Sequence, residues 1–286
     1  GVLVGASILM IVGTLDDIYD LNPYIRFLVC FVVALIVALS GTQLEYITHP
    51  FQPGVMHFNQ LEGNVFGTEI NLSTPFLPAL LTIIWIMWSI NIVNWSKGLD
   101  GQLPGVVGIA AFFIGVLALR FVNDPTQIPV LYFSFIVSGA FIGFLLWNAY
   151  PQKIMPGYGA GALGGYFLAV LSILSGAKLA TALLVLGLPT ADAMFTISRR
   201  LIAKKSPFWG DRGHLHHKLL DVLGWTKPQI ALFYWVTTAI LGIIALQLKP
   251  EQKVFTIGVV TALVFGFLIW VKLFITFSKR QDPDNG

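Results

Sequence analysis

The feature that most constrains this chain is a series of continuous apolar runs, each roughly 15–25 residues long. An α-helix needs about 20 apolar residues to cross a hydrocarbon core of about 30 Å. Runs such as 29–40 and 78–93 do not alternate, as the strands of a membrane β-barrel would. Because only 11% of the residues are charged and 56% are hydrophobic, a water-soluble fold could not bury the apolar surface. The sequence predicts an all-α, polytopic integral membrane bundle.

We expect about nine transmembrane segments in this chain. The first apolar run is too short to span a membrane alone. The sequence opens directly within this run, with neither an initial Met nor a charged flank. We therefore expect a preceding N-terminal piece and 10–11 spans in the full-length protein. The segments lie near residues 1–14, 26–41, 78–95, 103–122, 128–147, 161–176, 178–197, 229–247 and 254–278.

Lys and Arg are unevenly distributed between the two sides that alternating spans would define. The loops near 15–25, 94–104, 148–162 and 198–228, with the C-terminal tail, carry thirteen of the 17 basic residues. The long loop near 42–77, on the other side, carries none. Because cytoplasmic loops are enriched in Lys and Arg, we predict one transmembrane domain over 1–286 with those four loops in the cytoplasm.

The extracytoplasmic loop at 42–77 contains acids and two histidines among Pro, Gly and Asn. We interpret it as a solvated connector with a short hairpin. Metal binding there is a weaker alternative, because no ligand pair has a helical or zinc-finger spacing. The residues concerned are Glu45, His49, His57, Glu62 and Glu69.

Two adjacent carboxylates, Asp16 and Asp17, directly follow the first apolar run. Neighbouring acids at a membrane boundary repel each other and lose hydration, so they favour a shared cation or proton. A solvated helix cap is the alternative. We predict a functional role that involves a divalent metal.

A second polar cluster, with Asn91, Asn94, Lys97 and Asp100, follows the 78–95 segment in a glycine-rich turn. The two asparagines are three residues apart and therefore share a helical face. Buried amides need partners, which another helix could supply, but the glycines let a ligand approach the turn closely. We predict a ligand site.

The third cluster runs from Asn148 to Gly165 and is rich in small residues. Its glycines could permit close helix packing, or they could let backbone N–H groups at a helix start face a phosphate. The residues alone favour neither interpretation.

The fourth cluster holds three histidines within four residues: His214, His216 and His217, preceded by Asp211 and Arg212. Histidine and arginine offer directed donors that suit a pyrophosphate or a carboxylate. Zinc is the rival ligand, although a closed zinc site needs four ligands and no cysteine is near. A solvated loop is the remaining alternative.

With these clusters the sequence resembles the polyprenyl-phosphate N-acetylhexosamine-1-phosphate transferase superfamily over nearly its whole length. The histidine loop, residues 211–217, looks more like the branch that uses UDP-N-acetylglucosamine-type donors than the branch that uses UDP-MurNAc-pentapeptide. The similar motifs are the aspartate pair Asp16-Asp17, the asparagine loop from Asn91 to Gly101, Asn148 with Pro151, a P-x-x-D helix at Pro189 and Asp192, and the loop 211–217.

The resemblance implies a reaction at the cytoplasmic face of a bacterial plasma membrane. A polyprenyl phosphate, such as undecaprenyl phosphate, would attack the β-phosphorus of a UDP-sugar and release UMP, with Mg²⁺ or alternatively Mn²⁺ neutralising the charge. This would be the first membrane step of cell-envelope glycan synthesis, with the lipid bilayer as a partner. A homodimer is left open, and no nucleic-acid partner is expected.

The resemblance also implies roles for individual residues. Asp16 would deprotonate or orient the lipid phosphate, and the catalytic pair Asp16 and Asp17 would hold the metal together with Asp100. Asn94 and Asp100 would contact the nucleotide. The remaining substrate-binding residues would be Asn91, Lys97, Asn148, Asp192, Asp211, Arg212, His214, His216 and His217.

Two positions depart from the family pattern. The family has an aspartate where this chain has Lys97, and a metal-ligating aspartate where the best alignment places Tyr158. Tyrosine is a poor ligand for Mg²⁺, which prefers carboxylate and water oxygens. The changes are compatible with a transferase in which Lys97 replaces part of the metal's charge, or with a relative that binds lipid or nucleotide without turnover.

A transporter or flippase is the rival from another class. Such proteins place ionisable residues near the middle of the membrane and show repeated halves. In this sequence the charges lie at the ends of the apolar segments, and no internal repeat is evident. The pattern therefore favours the transferase.

Overall fold

A computed structural model describes residues 1–48, 54–65, 68–73, 76–175, 179–206 and 213–281. These residues form a bundle of α-helices with two short antiparallel hairpins, β1 with β2 and β3 with β4. The helices are α1 (Val2–Tyr19), α2 (Pro23–Leu39), α3 (Leu77–Trp95), α4 (Gln102–Leu119), α5 (Gln127–Asn148), α6 (Tyr158–Leu174), α7 (Leu179–Val185), α8 (Gly187–Ile202), α9 (Leu215–Asp221), α10 (Lys227–Gln247) and α11 (Pro250–Gln281). The strands are β1 (Tyr46–Thr48), β2 (Val55–His57), β3 (Gln60–Val65) and β4 (Thr68–Ser73).

The predicted all-α membrane bundle is confirmed. Within the described ranges, six helices are long and apolar enough to span a membrane: α1, α3, α4, α5, α10 and α11. The pair α7 and α8, bent by 79°, makes a seventh candidate span. The helices α2 and α6 are apolar but shorter, at 17 residues each. Together these elements account for the nine apolar segments.

The expectation that the first segment is too short to span was wrong. Helix α1 continues through Asp16 and Asp17 to Tyr19 and is 18 residues long. The apolar run ends before the aspartates, but the helix does not, because its hydrogen-bonded ladder extends to the N–H of Asp20, which bonds to the Asp16 carbonyl. The aspartate pair therefore lies on the last turn of a helix.

The bundle is built around α4, which packs against α5, α6, α7 and α10. In the apolar stretch of α4 that could span a membrane 78% of the residues are buried, against 17% in the corresponding stretch of α11. Helix α4 is apolar on all sides, with small residues along it, and such a helix belongs in the interior. The peripheral helices α1, α5 and α11 present most of their apolar surface outward, as lipid-facing helices do.

The glycine-rich start of α6 allows this helix to pack closely against α1 and α3. A Cβ atom at Gly159 would press on Gly13 of α1, and one at Gly165 would collide with the backbone of Ser89 and Ile90 on α3. Of the two interpretations of the third polar cluster, close helix packing is what these glycines show.

The long loop carries the two hairpins, in keeping with the predicted connector. His57 lies on β2, whereas His49 lies outside the described residues. The loop joins the end of α2 to the start of α3, where the Leu44 N–H donates to the Thr82 hydroxyl at 2.8 Å. The opposite ends of the same two helices meet the aspartate pair and the asparagine loop, so the predicted site lies at the other end of the bundle from the hairpins.

Candidate active site

A polar cleft of about 330 Å³ opens at this end of the bundle. Its volume lies within the range of small-molecule sites, about 300–1,000 Å³. Residues from four separate stretches of the chain line it, six of them predicted as substrate-binding. The lining consists of Pro23, Arg26, Phe27, Asn91, Asn94, Trp95, Lys97, Gly98, Tyr158, His214, His216 and His217.

The aspartate pair reaches this cleft through two of its lining residues. Asp16 is buried, and its Oδ1 accepts a hydrogen bond from the Arg26 Nε at 2.5 Å. The Asp17 Oδ1 accepts the backbone N–H of Tyr158 at 3.2 Å, at the start of α6, where the helix dipole favours a carboxylate. Gly157 leaves the room for this contact, because a Cβ atom there would collide with the Asp17 carboxylate. Asp17 and His216 are therefore at the same end of the bundle, both adjoining the cleft.

Lys97 and Arg26 both lie against the Tyr158 ring. The Lys97 ammonium is 5.9 Å and the Arg26 guanidinium carbon 5.6 Å from the ring centroid, within cation–π range. Burial lowers the pKa of Lys97, the positive charge of Arg26 lowers it further, and the negative charges of Asp16 and Asp17 oppose both effects. The two positions that depart from the family pattern therefore meet each other next to the aspartate pair.

The Tyr158 hydroxyl is turned away from water. It lies 3.1 Å from the Cys30 sulfur and donates to the Arg26 carbonyl at 3.3 Å, and the side chain is buried. The residue thus fills the space between α2 and α6, with its ring contributing to the cleft wall. Its packing fixes where the two neighbouring cations can lie.

The two asparagines of α3 differ in what they leave for a ligand. The Asn91 side-chain N–H donates to the Met87 carbonyl one turn earlier, at 2.7 Å. The Asn94 Oδ1 is buried and has no hydrogen-bond partner among the described residues. A Cβ atom at Gly161 would collide with that oxygen, so α6 fits closely around it. A buried acceptor without a partner is costly, and a donor on a bound ligand would satisfy it.

Asp192 holds the histidine loop in place. Its Oδ2 lies 2.9 Å from the His214 Nδ1, and its Oδ1 accepts the Leu215 N–H at 2.7 Å, which fixes the start of α9. The His214 ring lies parallel to that of His216, with centroids 5.7 Å apart and planes 3° from parallel. Asp192, predicted as a substrate-binding residue, uses both carboxylate oxygens to position this loop and does not line the cleft.

His216 is buried at the back of the cleft. Burial lowers its pKa well below the usual value, and the neighbouring His217 and His214 add to that effect, so the ring is neutral at pH 7. Its Nδ1 has no hydrogen-bond partner among the described residues. The ring lies so close to Gly98 that a Cβ atom there would collide with its Nε2.

Asp100 and Asn148 join the loops that surround the cleft, without lining it. Asp100 accepts the Lys227 ammonium at 3.0 Å and the Gln152 N–H at 3.2 Å. Burial raises the pKa of this carboxyl, but the hydrogen bonds from Lys227 and Gln152 outweigh burial and leave it lowered. Asn148 accepts the N–H of Gly101 at 2.9 Å. Their predicted contacts with substrate or metal stay predictions, and Asp211 and Arg212 lie outside the described residues.

The donor groups of the described residues do not fit the magnesium ion that the resemblance implies. Nowhere in the described ranges do three His, Cys, Asp or Glu side chains gather closely enough to hold a metal. Of the three predicted ligands, Asp16 is bonded to Arg26, Asp17 to a backbone N–H, and Asp100 to Lys227. Mg²⁺ requires an octahedral shell of oxygen atoms. Lys97 has no side-chain oxygen, and the Tyr158 hydroxyl is engaged with Cys30 and the Arg26 carbonyl.

Arg26 was not predicted from the sequence as a site residue. The sequence feature that could have indicated Arg26 is a single charge within an apolar segment. The residue lies in the first turn of a helix that starts at Pro23. A short connection between two helices makes them antiparallel neighbours, so the first turn of α2 lies beside the last turn of α1, where Asp16 is. Lys227, the partner of Asp100, lies 127 residues away in sequence and gave no comparable signal.

Comparison with known proteins supports the family resemblance that the sequence motifs indicate. The chain is 28% identical to a probable undecaprenyl-phosphate N-acetylglucosaminyl 1-phosphate transferase of Bacillus subtilis, over 96% of this chain and 68% of the relative. It is 27% identical to an undecaprenyl-phosphate alpha-N-acetylglucosaminyl 1-phosphate transferase of Thermotoga maritima, over 82% and 67%. It is 28% identical to a decaprenyl-phosphate N-acetylglucosaminephosphotransferase of Mycolicibacterium smegmatis, over 99% and 71%. The sequence model of glycosyl transferase family 4 matches residues 1–176, more than half of the chain, and the chain therefore belongs to this family of transferases.

Proposed function

We propose that this protein transfers a sugar 1-phosphate, N-acetylglucosamine 1-phosphate, from a UDP-sugar to undecaprenyl phosphate and releases UMP. The reaction would take place at the cytoplasmic face of a bacterial plasma membrane, where the basic loops would lie. The observation that carries the proposal is a polar cleft continuous with an apolar groove that opens along the helices. The names of the three relatives support the same reaction class.

The apolar groove suits the prenyl chain of the acceptor. It has a volume of about 290 Å³ and runs along α3 between α2 and α8. Phe27, Asn91 and Trp95 line both the groove and the polar cleft. A lipid whose tail lies in the groove would therefore present its phosphate at this shared boundary, next to Arg26. The groove is lined by Phe27, Ile84, Met87, Trp88, Asn91, Trp95 and Ile197.

The inner part of the cleft suits the nucleotide sugar. Lys97 and Arg26 offer charged donors, and the neutral His216 ring offers a directed N–H to a phosphate oxygen. The unpartnered Asn94 oxygen accepts from a donor on the ligand. These groups recognise a phosphorylated ligand that also carries N–H or O–H groups, as a nucleotide sugar does.

The chemistry would proceed by displacement at phosphorus. An oxygen of the lipid phosphate attacks the β-phosphorus of the donor, a new P–O bond forms, and the bond to the UMP oxygen breaks with its electron pair leaving on UMP. Such transfers depend mainly on positioning and on charge stabilisation. Asp16 would orient the lipid phosphate through Arg26, which it holds at 2.5 Å.

The test is transfer of label from UDP-[¹⁴C]GlcNAc to undecaprenyl phosphate by the purified protein in nanodiscs, with and without divalent cations. We expect labelled lipid together with free UMP. Asp16→Asn should abolish labelling, since a neutral amide cannot pair with the Arg26 charge. Asp20→Asn is the matched control, because Asp20 contacts the same arginine but is 97% exposed. Equal losses in both variants would remove Asp16 from its role.

A binding-only relative is the second candidate, favoured by Lys97 and Tyr158 at positions where the family has acids. It predicts UDP binding without labelled lipid from any UDP-sugar under any metal condition. Labelled lipid in the transfer assay would exclude it.

A further inference from the structure

We infer that Lys97 and Arg26 supply the positive charge for which the family pattern would require a divalent cation, so that the cleft binds a nucleoside diphosphate without a metal. The inference rests on the proposed function, since it takes the diphosphate of the donor as the ligand. It concerns how that ligand's charge is balanced.

The charge balance of the cleft differs from that of the family pattern. Aspartates at both departing positions would add two carboxylates beside Asp16 and Asp17, and a diphosphate could approach only together with a cation. With Lys97 and Tyr158 there instead, the charges of Lys97 and Arg26 offset those of Asp16 and Asp17, while the other carboxylate on Arg26, Asp20, is exposed and its charge is screened by water. The cleft can then receive an anion without a bound metal.

The Lys97 ammonium lies close to where the aspartate pair would hold a metal ion. It lies against the Tyr158 ring and within the electrostatic field of both aspartates. A metal ion held by those aspartates would be repelled by this ammonium and by the Arg26 guanidinium. Lysine binds phosphate as a compact point charge with three donors, the role that a small cation otherwise performs.

The two residues that depart from the family pattern, Lys97 and Tyr158, form one unit. Tyr158 supplies the ring against which both cations pack, and its hydroxyl is fixed by Cys30 and the Arg26 carbonyl. An aspartate at 158 would remove this support and present a carboxylate to Lys97 in its place. Lys97 and Tyr158 therefore define a site whose chemistry differs from that of the two aspartates in the family pattern.

The binding test is calorimetric titration of UDP into the full chain in nanodiscs, in EDTA and in MgCl₂. We expect Kd values within about twofold of each other in the two buffers. Lys97→Ala should weaken binding about tenfold in both, because a hydrogen bond to a charged group is lost. Lys153→Ala is the matched control, since Lys153 is exposed and lies over the Trp147 ring. Binding that disappears in EDTA and returns with Mg²⁺ would overturn the inference.

The metal test is electron paramagnetic resonance of Mn²⁺ added to nucleotide-free protein. The unmodified chain should leave Mn²⁺ free, whereas the double variant Lys97→Asp with Tyr158→Asp should bind about one equivalent, as four carboxylates would favour. If the double variant does not fold, Lys97→Asp alone should make UDP binding sensitive to EDTA. One equivalent of Mn²⁺ bound by the unmodified chain would contradict the inference.

The outcomes separate this inference from the proposed function. Labelled lipid that forms only with Mg²⁺, together with metal-dependent UDP binding, would remove the inference and leave the transferase. Metal-independent UDP binding without labelled lipid would remove the transferase and leave the inference. Folded protein that binds no UDP under either condition would remove both.

Discussion

At the end of the bundle that holds the cleft, acidic side chains pair with basic side chains, whereas at the opposite end Lys and Arg contact neutral groups. Asp16 pairs with Arg26, and Asp192 with His214. At the opposite end Lys253 donates to the Thr181 hydroxyl at 2.8 Å, and Arg120 donates to the Leu246 carbonyl. The first arrangement fixes side chains around a space, and the second ties helices together.

Two buried polar atoms of residues that line the cleft have unused hydrogen-bonding capacity. The cleft keeps the Asn94 Oδ1 and the His216 Nδ1 without hydrogen-bond partners among the described residues. Such atoms cost stability when they stay unsatisfied, so their placement in a cleft is consistent with a ligand that satisfies them. If this division between the two ends is correct, substitutions at the cleft end should affect activity more than stability, and those at the opposite end should do the reverse.

Among the tests of this division between the two ends, the largest effect is expected for Asp192→Ala. The substitution removes two hydrogen bonds, to the His214 ring and to the Leu215 N–H, and it releases the start of α9. We expect kcat/KM for transfer to fall about 100-fold, because each lost contact to a charged group is worth about 1.5–3 kcal/mol. Measured transfer within a few-fold of the unmodified protein would show that the histidine loop is positioned by other contacts.

A smaller effect is expected for Gly98→Ala, which tests how closely the asparagine loop approaches the histidines. The added methyl group would collide with His216, and the ring would have to move. We expect UDP to bind about tenfold more weakly, since a displaced donor loses one directed hydrogen bond. Gly139→Ala on α5 is the control, because a Cβ atom there meets nothing within 4 Å. Equal affinities in the two variants would contradict the packing at Gly98.

The helices could be predicted from the sequence because the length of an apolar run is sufficient to indicate a span. The cleft could be predicted only in part. Asn91 and Asn94 were identified because amides at the end of an apolar segment need partners, and the three histidines because they fall within four residues. Arg26 and the positioning role of Asp192 were missed, since both depend on which helix ends become neighbours. The short connection between α1 and α2 indicates the pairing of Arg26 with Asp16, whereas no local pattern indicates that of Asp192 with His214.

A third effect is the pH dependence that His216 should give to stability. Its pKa is lowered in the fold, so the unfolded chain binds more protons once the pH falls below the unfolded value of about 6.5. Stability should therefore decrease as the pH falls from 7.5 to 5.5, by about 1 kcal/mol from this residue. The measurement is thermal unfolding at both pH values for the unmodified protein and for His216→Gln. The stability of the variant should fall less between pH 7.5 and 5.5, because it lacks the contribution of this histidine.

The exposed His57 on β2 provides the control for this experiment. His57→Gln should keep the full pH dependence, because the residue lies outside the bundle and near the opposite end. If both variants follow the unmodified protein, the buried ring is not the source of the dependence. In that case protonation elsewhere, including at the paired carboxylates, would account for it.

The smallest effect is expected at the opposite end, for Lys253→Met. This lysine is buried and bonded to a neutral hydroxyl, and replacing a buried charge with an apolar side chain of similar length is often neutral or stabilising. We expect transfer activity within about twofold of the unmodified protein and a melting temperature that is unchanged or raised by a few degrees. The measurement is transfer activity together with the melting temperature of the same variant. A large loss of transfer with an intact fold would show that the end of the bundle far from the cleft also takes part in the reaction, and the division between the two ends would not hold.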